Sequence, residues 1–234
     1  MKCLNFCFFL ALMLGTTSCL REQDPGPLQS DERNYNFLDF DRLEMGDSFI
    51  ITVTQSPVYS VVIRGDRRNL DDLSISKLGS TLKIAFPNNY RRDHATFITL
   101  SMPSFRGASF SGASSSTITG FKSDAFDLVL TGASVSQLNV ESKQSNINLS
   151  GASKLTLSGK GETMTAKVSG ASELFAYDFT AAAVETDASG ASKVNVFASS
   201  SLKATASGAS LIYYKGNPAL TMSTTGASSV ISEN

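Results

Sequence analysis

The side chains able to do acid–base, nucleophilic or metal chemistry are few in this 234-residue chain, and they are scattered. One histidine, His94, allows a single imidazole base at most; it stands in the polar run Asn88-Asn89-Tyr90-Arg91-Arg92-Asp93-His94, which reads as an exposed loop between two strands. Cys3, Cys7 and Cys19 are the only cysteines, and neither His-x-x-x-His nor Cys-x-x-Cys spacing occurs, so zinc has no ligand set. The calcium repeat Gly-Gly-x-Gly-x-Asp is also missing. Glu185 and Asp187, two apart on one strand, share a face at a spacing open to paired-carboxylate glycoside chemistry. Glu141, Glu162, Glu173 and Asp178 are offset from them and from one another, which makes a solvated strand face the expectation. Asp39, Asp41, Glu44 and Asp47 read as a soluble entry segment. The chain is therefore expected to be no enzyme, with no catalytic residue, no cofactor and no metal. Twenty Lys and Arg against 21 Asp and Glu give a net charge of −1, and Arg64, Arg67 and Arg68 form a basic spot too small to track a phosphate backbone, so no nucleic-acid partner is expected.

What positions these groups is a repeat. Ser-Gly-Ala-Ser or Thr-Gly-Ala-Ser recurs with its glycine at Gly112, Gly132, Gly151, Gly170, Gly190, Gly208 and Gly226, at intervals of 20, 19, 19, 20, 18 and 18. A period this even signals one small unit stacked on copies of itself. With the glycines aligned, apolar columns fall six, four and two residues before (Phe126, Leu128, Leu130; Met164, Ala166, Val168) and four and six after (Leu155, Leu157; Leu174, Ala176), with polar columns between. Period two means strands, so each unit reads as two short strands meeting at a Gly-Ala-Ser corner. About nineteen residues cannot hold a βαβ crossover of roughly thirty. One unit per turn of a coil would put equivalent residues roughly 4.8 Å apart up the stack. Glycine would permit the turn, alanine would fit the tight inner corner, and serine or threonine would bond to its copy above and below. An up-and-down barrel also shows period two, but has no reason to repeat one corner in register.

The start of the chain is of another kind. Met1-Lys2, an apolar run over residues 4–14 and Gly15-Thr16-Thr17-Ser18-Cys19 read as an export signal, since eleven apolar-rich residues are too few to span a bilayer. The stretch before Cys19 resembles the lipobox of bacterial lipoproteins, although Thr16 stands where an aliphatic residue is usual; the alternative is an ordinary signal peptide. The expected division is residues 1–18 signal, 19–34 polar tether, 35–106 β-rich N-terminal part and 107–234 repeats. Within 35–106, Phe49-Ile50-Ile51-Thr52-Val53-Thr54 and Tyr59-Ser60-Val61-Val62-Ile63 read as strands paired around Gln55-Ser56-Pro57, and residues 66–73 as a short helix capped by Asp66. Gly107-Ala108-Ser109, off phase by five residues, marks the passage into the repeats.

The run Met45-Gly46-Asp47-Ser48-Phe49-Ile50-Ile51-Thr52-Val53-Thr54-Gln55, the strand entry Gly79-Ser80-Thr81-Leu82-Lys83-Ile84, the strand Ile98-Thr99-Leu100-Ser101-Met102-Pro103 and the Ser-Gly-Ala-Ser series together resemble the putative auto-transporter adhesin family with a head GIN domain, over roughly residues 35 to 234. The resemblance implies a secreted right-handed β-helix, often a lipoprotein, and brings no catalytic residues. The fold class expected is thus all-β: a right-handed parallel β-helix (solenoid) with a β-rich N-terminal head continuous with it.

The function expected is an exported surface protein, anchored to the outer membrane by lipid on Cys19 and facing either the cell surface or the periplasm, that acts as an adhesin or ligand-binding module. A structural envelope spacer is the alternative, with a polysaccharide-active β-helix enzyme behind it. Phe175 and Tyr213, five residues after their glycines, would flank Asn195 on the outer wall and could stack on a glycan or anchor a matrix protein. The run Ser228-Ser229-Val230-Ile231-Ser232-Glu233-Asn234 provides no evident cap for the last coil, which suggests an end-to-end homodimer.

Overall fold

The computed structural model describes residues 26–234; the segment expected to be an export signal, Cys19 and the first part of the expected tether lie outside the described residues. The N-terminal part contributes β1 (Ser30–Tyr35), β2 (Arg42–Met45), β3 (Ile50–Gln55), β4 (Ser60–Asp66), α1 (Arg67–Asp71), β5 (Ser74–Leu78), β6 (Thr81–Ala85), β7 (Phe97–Met102) and β8 (Gly107–Phe110). The repeats follow as β9 (Ser115–Leu130), β10 (Val135–Leu149), β11 (Lys154–Val168), β12 (Glu173–Ala188) and β13 (Lys193–Ala206), and the last coils as β14 (Leu211–Lys215), β15 (Ala219–Thr224) and β16 (Ser229–Ser232). These strands stack in parallel as a β-solenoid of about seven turns. Register follows the aligned glycines: Leu138 lies beside Leu157, Ile147 beside Ala166 and Leu149 beside Val168. The apolar columns fill one continuous core, from Phe126, Leu128 and Leu130 through Leu174 and Val194 to Ile212, all fully buried.

The glycines stand in single file. Ala133 N donates to Gly112 O at 2.7 Å, Ala152 N to Gly132 O at 2.7 Å and Ala171 N to Gly151 O at 2.7 Å, and the series runs on to Ala227 N and Gly208 O at 2.7 Å. A first corner precedes them, since Ala113 N donates to Asp47 O at 2.7 Å. Asp47, which reads from the sequence as part of a polar entry segment, holds the glycine's place with φ +63°, a left-handed geometry that aspartate tolerates better than most side chains. The stack thus extends back before the first glycine: β2 and β3 pair with β8 and β9 on either side of that corner, and β6 and β7 lie parallel on their other edges.

Several local expectations are corrected. From Gly112 to Gly208 each repeat is one continuous strand of 14 to 16 residues, bent in its middle, and only the repeat between Gly208 and Gly226 divides into two short strands, β14 and β15. Mid-strand irregularities absorb the unequal repeat lengths, as where the register shifts between Asn139 and Val140 opposite Gly120. The motif's alanine does not fit an inner corner: Ala113, Ala133 and Ala152 are exposed, and the following Ser114, Ser134 and Ser153 are buried. Those serines mostly cap backbone carbonyls, Ser210 Oγ donating to Ala188 O and Ser207 O at 3.0 Å each; Ser114 Oγ to Ser134 Oγ at 3.2 Å is a bond between copies. A hydroxyl inside the bend satisfies carbonyls that a methyl group would leave unpaired.

Strands β3 and β4 do not pair with each other. β7 lies between them, parallel to β3 and antiparallel to β4, so that its apolar residues Ile98 and Leu100 complete the core. Residues 30–34, expected within the tether, instead belong to β1, which pairs antiparallel with β4. Its polar sequence hid it: an edge strand with no fully buried residue needs backbone partners more than apolar side chains. Gly107-Ala108-Ser109 is no displaced corner, since in β8 Ala108 packs beside Leu128 and Phe110 beside Leu130 in the arm that leads to the first Ser-Gly-Ala-Ser. The short helix forms as expected, Asp66 accepting from Arg68 N at its N-cap.

Candidate functional site

Phe175, Asn195 and Tyr213 come together. They are direct neighbours in the ladders β12–β13 and β13–β14, one above another on the outer wall. Phe175 and Tyr213 are half-buried; Asn195, 7% exposed, is sunk between them, and its Oδ1 is buried with no hydrogen-bonding partner. The neighbouring columns supply what sequence reasoning missed. Lys154 Nζ lies 4.7 Å from the Phe175 ring centre, Lys193 Nζ 5.1 Å from that of Tyr213, and Lys215 Nζ 4.6 Å from that of Tyr177. Each ammonium faces a π cloud, an attraction of about 0.5–1 kcal/mol on an exposed wall. Tyr177 donates its phenol proton to Glu233 Oε2 at 2.6 Å, joining this wall to the last coil. Burial, then the Glu233 carboxylate, pushes the Tyr177 phenol above its usual range, so it stays protonated and a donor.

The alternation of charge was also legible and overlooked. Three residues after their glycines stand Lys154, Glu173 and Lys193, paired in sequence along the stack with Lys154 Nζ 3.6 Å from Glu173 Oε2. At the mid-strand bends Lys122, Glu141 and Lys160 repeat the pattern, Glu141 meeting Lys122 at 3.2 Å and Lys160 at 3.5 Å. Lys143 meets Asp124 at 2.7 Å on the next column. The Lys122 and Lys160 ammoniums hold the Glu141 carboxyl below its usual range, and Lys143 does the same to Asp124. Between these two columns runs a cleft of about 700 Å³ floored by Ser142, Gly161 and Ala181. Its ion pairs offer a ligand no concentrated charge.

The remaining candidates are dispersed. Glu185 and Asp187 are both exposed, and Glu185 Oε1 accepts from Lys203 Nζ at 2.7 Å, as in any solvated ladder of opposite charges. His94 is half-buried, not exposed: its Nε2 lies 3.0 Å from Gly26 O and 3.9 Å from Asp66 Oδ2. Arg68 of the basic spot is bound by Asp66, and Arg64 lies 3.6 Å from Glu32. Among the described residues no three His, Cys, Asp or Glu side chains converge as a metal site would require.

A family model described as "Putative auto-transporter adhesin, head GIN domain" matches residues 39–218. No curated protein matches the chain. Among solved structures, a putative adhesin from Bacteroides fragilis NCTC 9343 superimposes with a TM-score of 0.79 at 22% identity, over 88% of this chain and 97% of that one. A putative adhesin from Parabacteroides merdae ATCC 43184 gives 0.71 at 18% identity over 88% and 96%, and a putative lipid binding protein from Parabacteroides distasonis ATCC 8503 gives 0.70 at 19% over 88% and 97%. At these identities the likeness is one of fold. The family match covers more than three quarters of the sequence, and the chain belongs to the putative auto-transporter adhesin, head GIN domain family.

Proposed function

We propose that the protein is an exported, lipid-anchored surface module that binds a glycan or matrix protein through the outer wall of its later coils, without catalysis. The observation that carries the reading is the column Phe175, Asn195, Tyr213, where two rings bracket a buried amide oxygen that no protein group satisfies. Sugars present an apolar face to an aromatic ring, so such a wall can stack on one. Lys154, Lys193 and Lys215 add cations for a ligand that carries carboxylate or sulfate. Export and attachment at Cys19 rest on the sequence of the first nineteen residues, and the adhesin family fits a place at the envelope or cell surface. Among the described residues no helix is long and apolar enough to cross a membrane.

The second reading, a structural spacer, is favoured by the lysine over each ring, since aromatics already partnered can serve to armour the wall. The test is binding of the chain to an array of glycans and matrix proteins, repeated with Phe175→Ala and Tyr213→Ala combined. Both residues are half-buried on the outer wall, so folding survives, as a thermal melt checks. Array binding that drops at least tenfold in the variant supports the ligand surface. Binding that is absent from the unaltered chain, or unchanged in the variant, leaves the spacer.

A further inference from the structure

The corner file has one exception. Every corner from Asp47 onward takes four residues between its strands, as 46–49, 131–134 and 150–153 do. β6 and β7 lie parallel to β2 and β3, so the link between them stands where one more corner would be, yet it runs for eleven residues, 86–96. A turn that four residues can make is here given a loop, and long loops on a rigid scaffold are where binding groups collect.

Between this loop and the Asp47 corner lies a recess of about 410 Å³, within the range of small-ligand sites. Its wall is stiff. The Arg92 guanidinium carbon lies 3.5 Å from the Phe86 ring centre, its Nη1 donates to Asn88 O at 3.1 Å and Tyr90 O at 2.9 Å, and its Nη2 donates to Asp72 Oδ2 at 3.1 Å. Tyr90, 58% exposed, stands at the rim. Phe86 N donates to Asp47 Oδ2 at 3.0 Å, while Asp47 Oδ1 accepts from no group among the described residues and the Ser48 side chain beside it is exposed. The recess ends on Thr96, which is 3% exposed and whose Oγ1 has no hydrogen-bonding partner. A buried polar group left this way calls for a partner from outside the chain.

We propose that this recess is a second binding site, for one neutral sugar such as the end of a glycan chain. The charge balance excludes an anion: Arg91 meets Asp93 at 2.7 Å and Arg92 meets Asp72 at 3.1 Å, so both guanidiniums are matched and the Asp47 carboxylate would oppose a phosphate or sulfate. A sugar suits what is left. Its apolar face stacks on the Tyr90 ring, and its hydroxyls donate to Asp47 and exchange hydrogen bonds with Ser48. The Arg92 plate is already fixed, so little ordering is needed when a ligand enters. The cleft at the mid-strand bends has no ring in its wall and does not match this pattern. The site does not rest on the Phe175 and Tyr213 wall, since the Asp47 corner stands four corners before Gly170, roughly 19 Å along the stack.

Saturation-transfer NMR of the full chain tests this, with glucose, galactose, mannose, fucose and N-acetylglucosamine as separate probes and N-acetylneuraminic acid as the acidic comparison. At least one neutral sugar is expected to bind. Tyr90→Ala, at an exposed position, should weaken it about tenfold without altering the melt. Asp47→Asn keeps a residue that tolerates the left-handed corner and should weaken it about threefold. Phe175→Ala combined with Tyr213→Ala should leave it unchanged. Should Tyr90→Ala fail to fold, Asp47→Asn decides. No binding by any neutral sugar, binding by the acidic sugar alone, or unchanged affinity in the folded variants would each overturn the site. Binding lost in the Phe175 and Tyr213 variant but kept in Tyr90→Ala would place the sugar on the outer wall, overturning this inference while supporting that reading.

Discussion

A corner glycine answers two constraints at once. Gly170 has φ +73°, and a Cβ added there would lie 2.5 Å from Gly151 O, the carbonyl of the corner beneath. Left-handed backbone alone costs a side chain about 1–2 kcal/mol, and the clash is with a backbone atom that cannot swing away. Gly79, at φ +60° in the N-terminal part, has nothing within 4 Å of the same hypothetical atom. Gly170→Ala should therefore lower stability by about 3 kcal/mol and Gly79→Ala by only about 1 kcal/mol. Denaturant midpoints of the two variants check this; equal losses would mean that stacking closeness contributes nothing. The motif's glycine was legible for this reason: its constraint is backbone geometry, which recurs wherever the turn recurs. The roles of its alanine and last serine were not, because which of two small neighbours faces inward depends on the hand of the turn and on which carbonyls need a donor.

The elements of the N-terminal part are tied by one carboxylate. Asp66 closes β4, caps α1, accepts from Arg68 Nε and Nη2 at 2.7 Å and from Gln29 N at 2.9 Å, and is 1% exposed. The Arg68 guanidinium first, then the backbone N–H donors, hold its carboxyl well below the usual range against the opposing effect of burial. A folded-state value depressed below the unfolded one contributes stability that is fully present above about pH 4 and is lost as pH falls from there toward the folded value. The unaltered protein should lose melting temperature below about pH 4. Asp66→Asn should be less stable by about 2 kcal/mol at pH 7 and show a shallower acid loss. Parallel melts at pH 7, 4 and 3 measure both, and parallel acid slopes would remove Asp66 from the account. The cap itself could be read from Asp66 and the helix it precedes. Its ties to Gln29 and to the carbonyl-bound His94 could not, since they join segments 37 and 28 residues away that only β1 and the loop before β7 bring near.

At the scale of the molecule the solenoid is a one-dimensional stack, so each coil contacts little beyond its neighbours. Removing residues 132–150, one 19-residue unit, joins Thr131 to Gly151 and restores the Thr-Gly-Ala-Ser string. The shortened chain should fold cooperatively as a stack lower by roughly 4.8 Å. Removing about half that number from the same coil turns inward columns outward or breaks the corner file, and should abolish the cooperative melt. Circular dichroism with small-angle scattering distinguishes the two, and equal tolerance of both deletions would contradict a stack held by register. The aromatic wall also belongs to this scale. Phe175, Asn195 and Tyr213 share an offset from their glycines and could be aligned by counting, but Tyr177 escaped the count because the extra residues of β12 between Ala176 and Thr180 displace it from the ladder.

What the sequence determined by itself was the repeating part: a fixed interval, a two-residue alternation and a glycine at each corner permit few structures other than a stack of parallel strands in register, and the core columns follow from the same count. Tertiary structure alone decided the rest. It slid β7 between β3 and β4, recruited polar β1 as an edge and put Asp47 at the first corner. The physical reason is range. Periodicity records constraints that each coil meets through its neighbours, whereas closing the first end of the stack depends on contacts made once, between segments whose separation leaves no repeating trace in the chain.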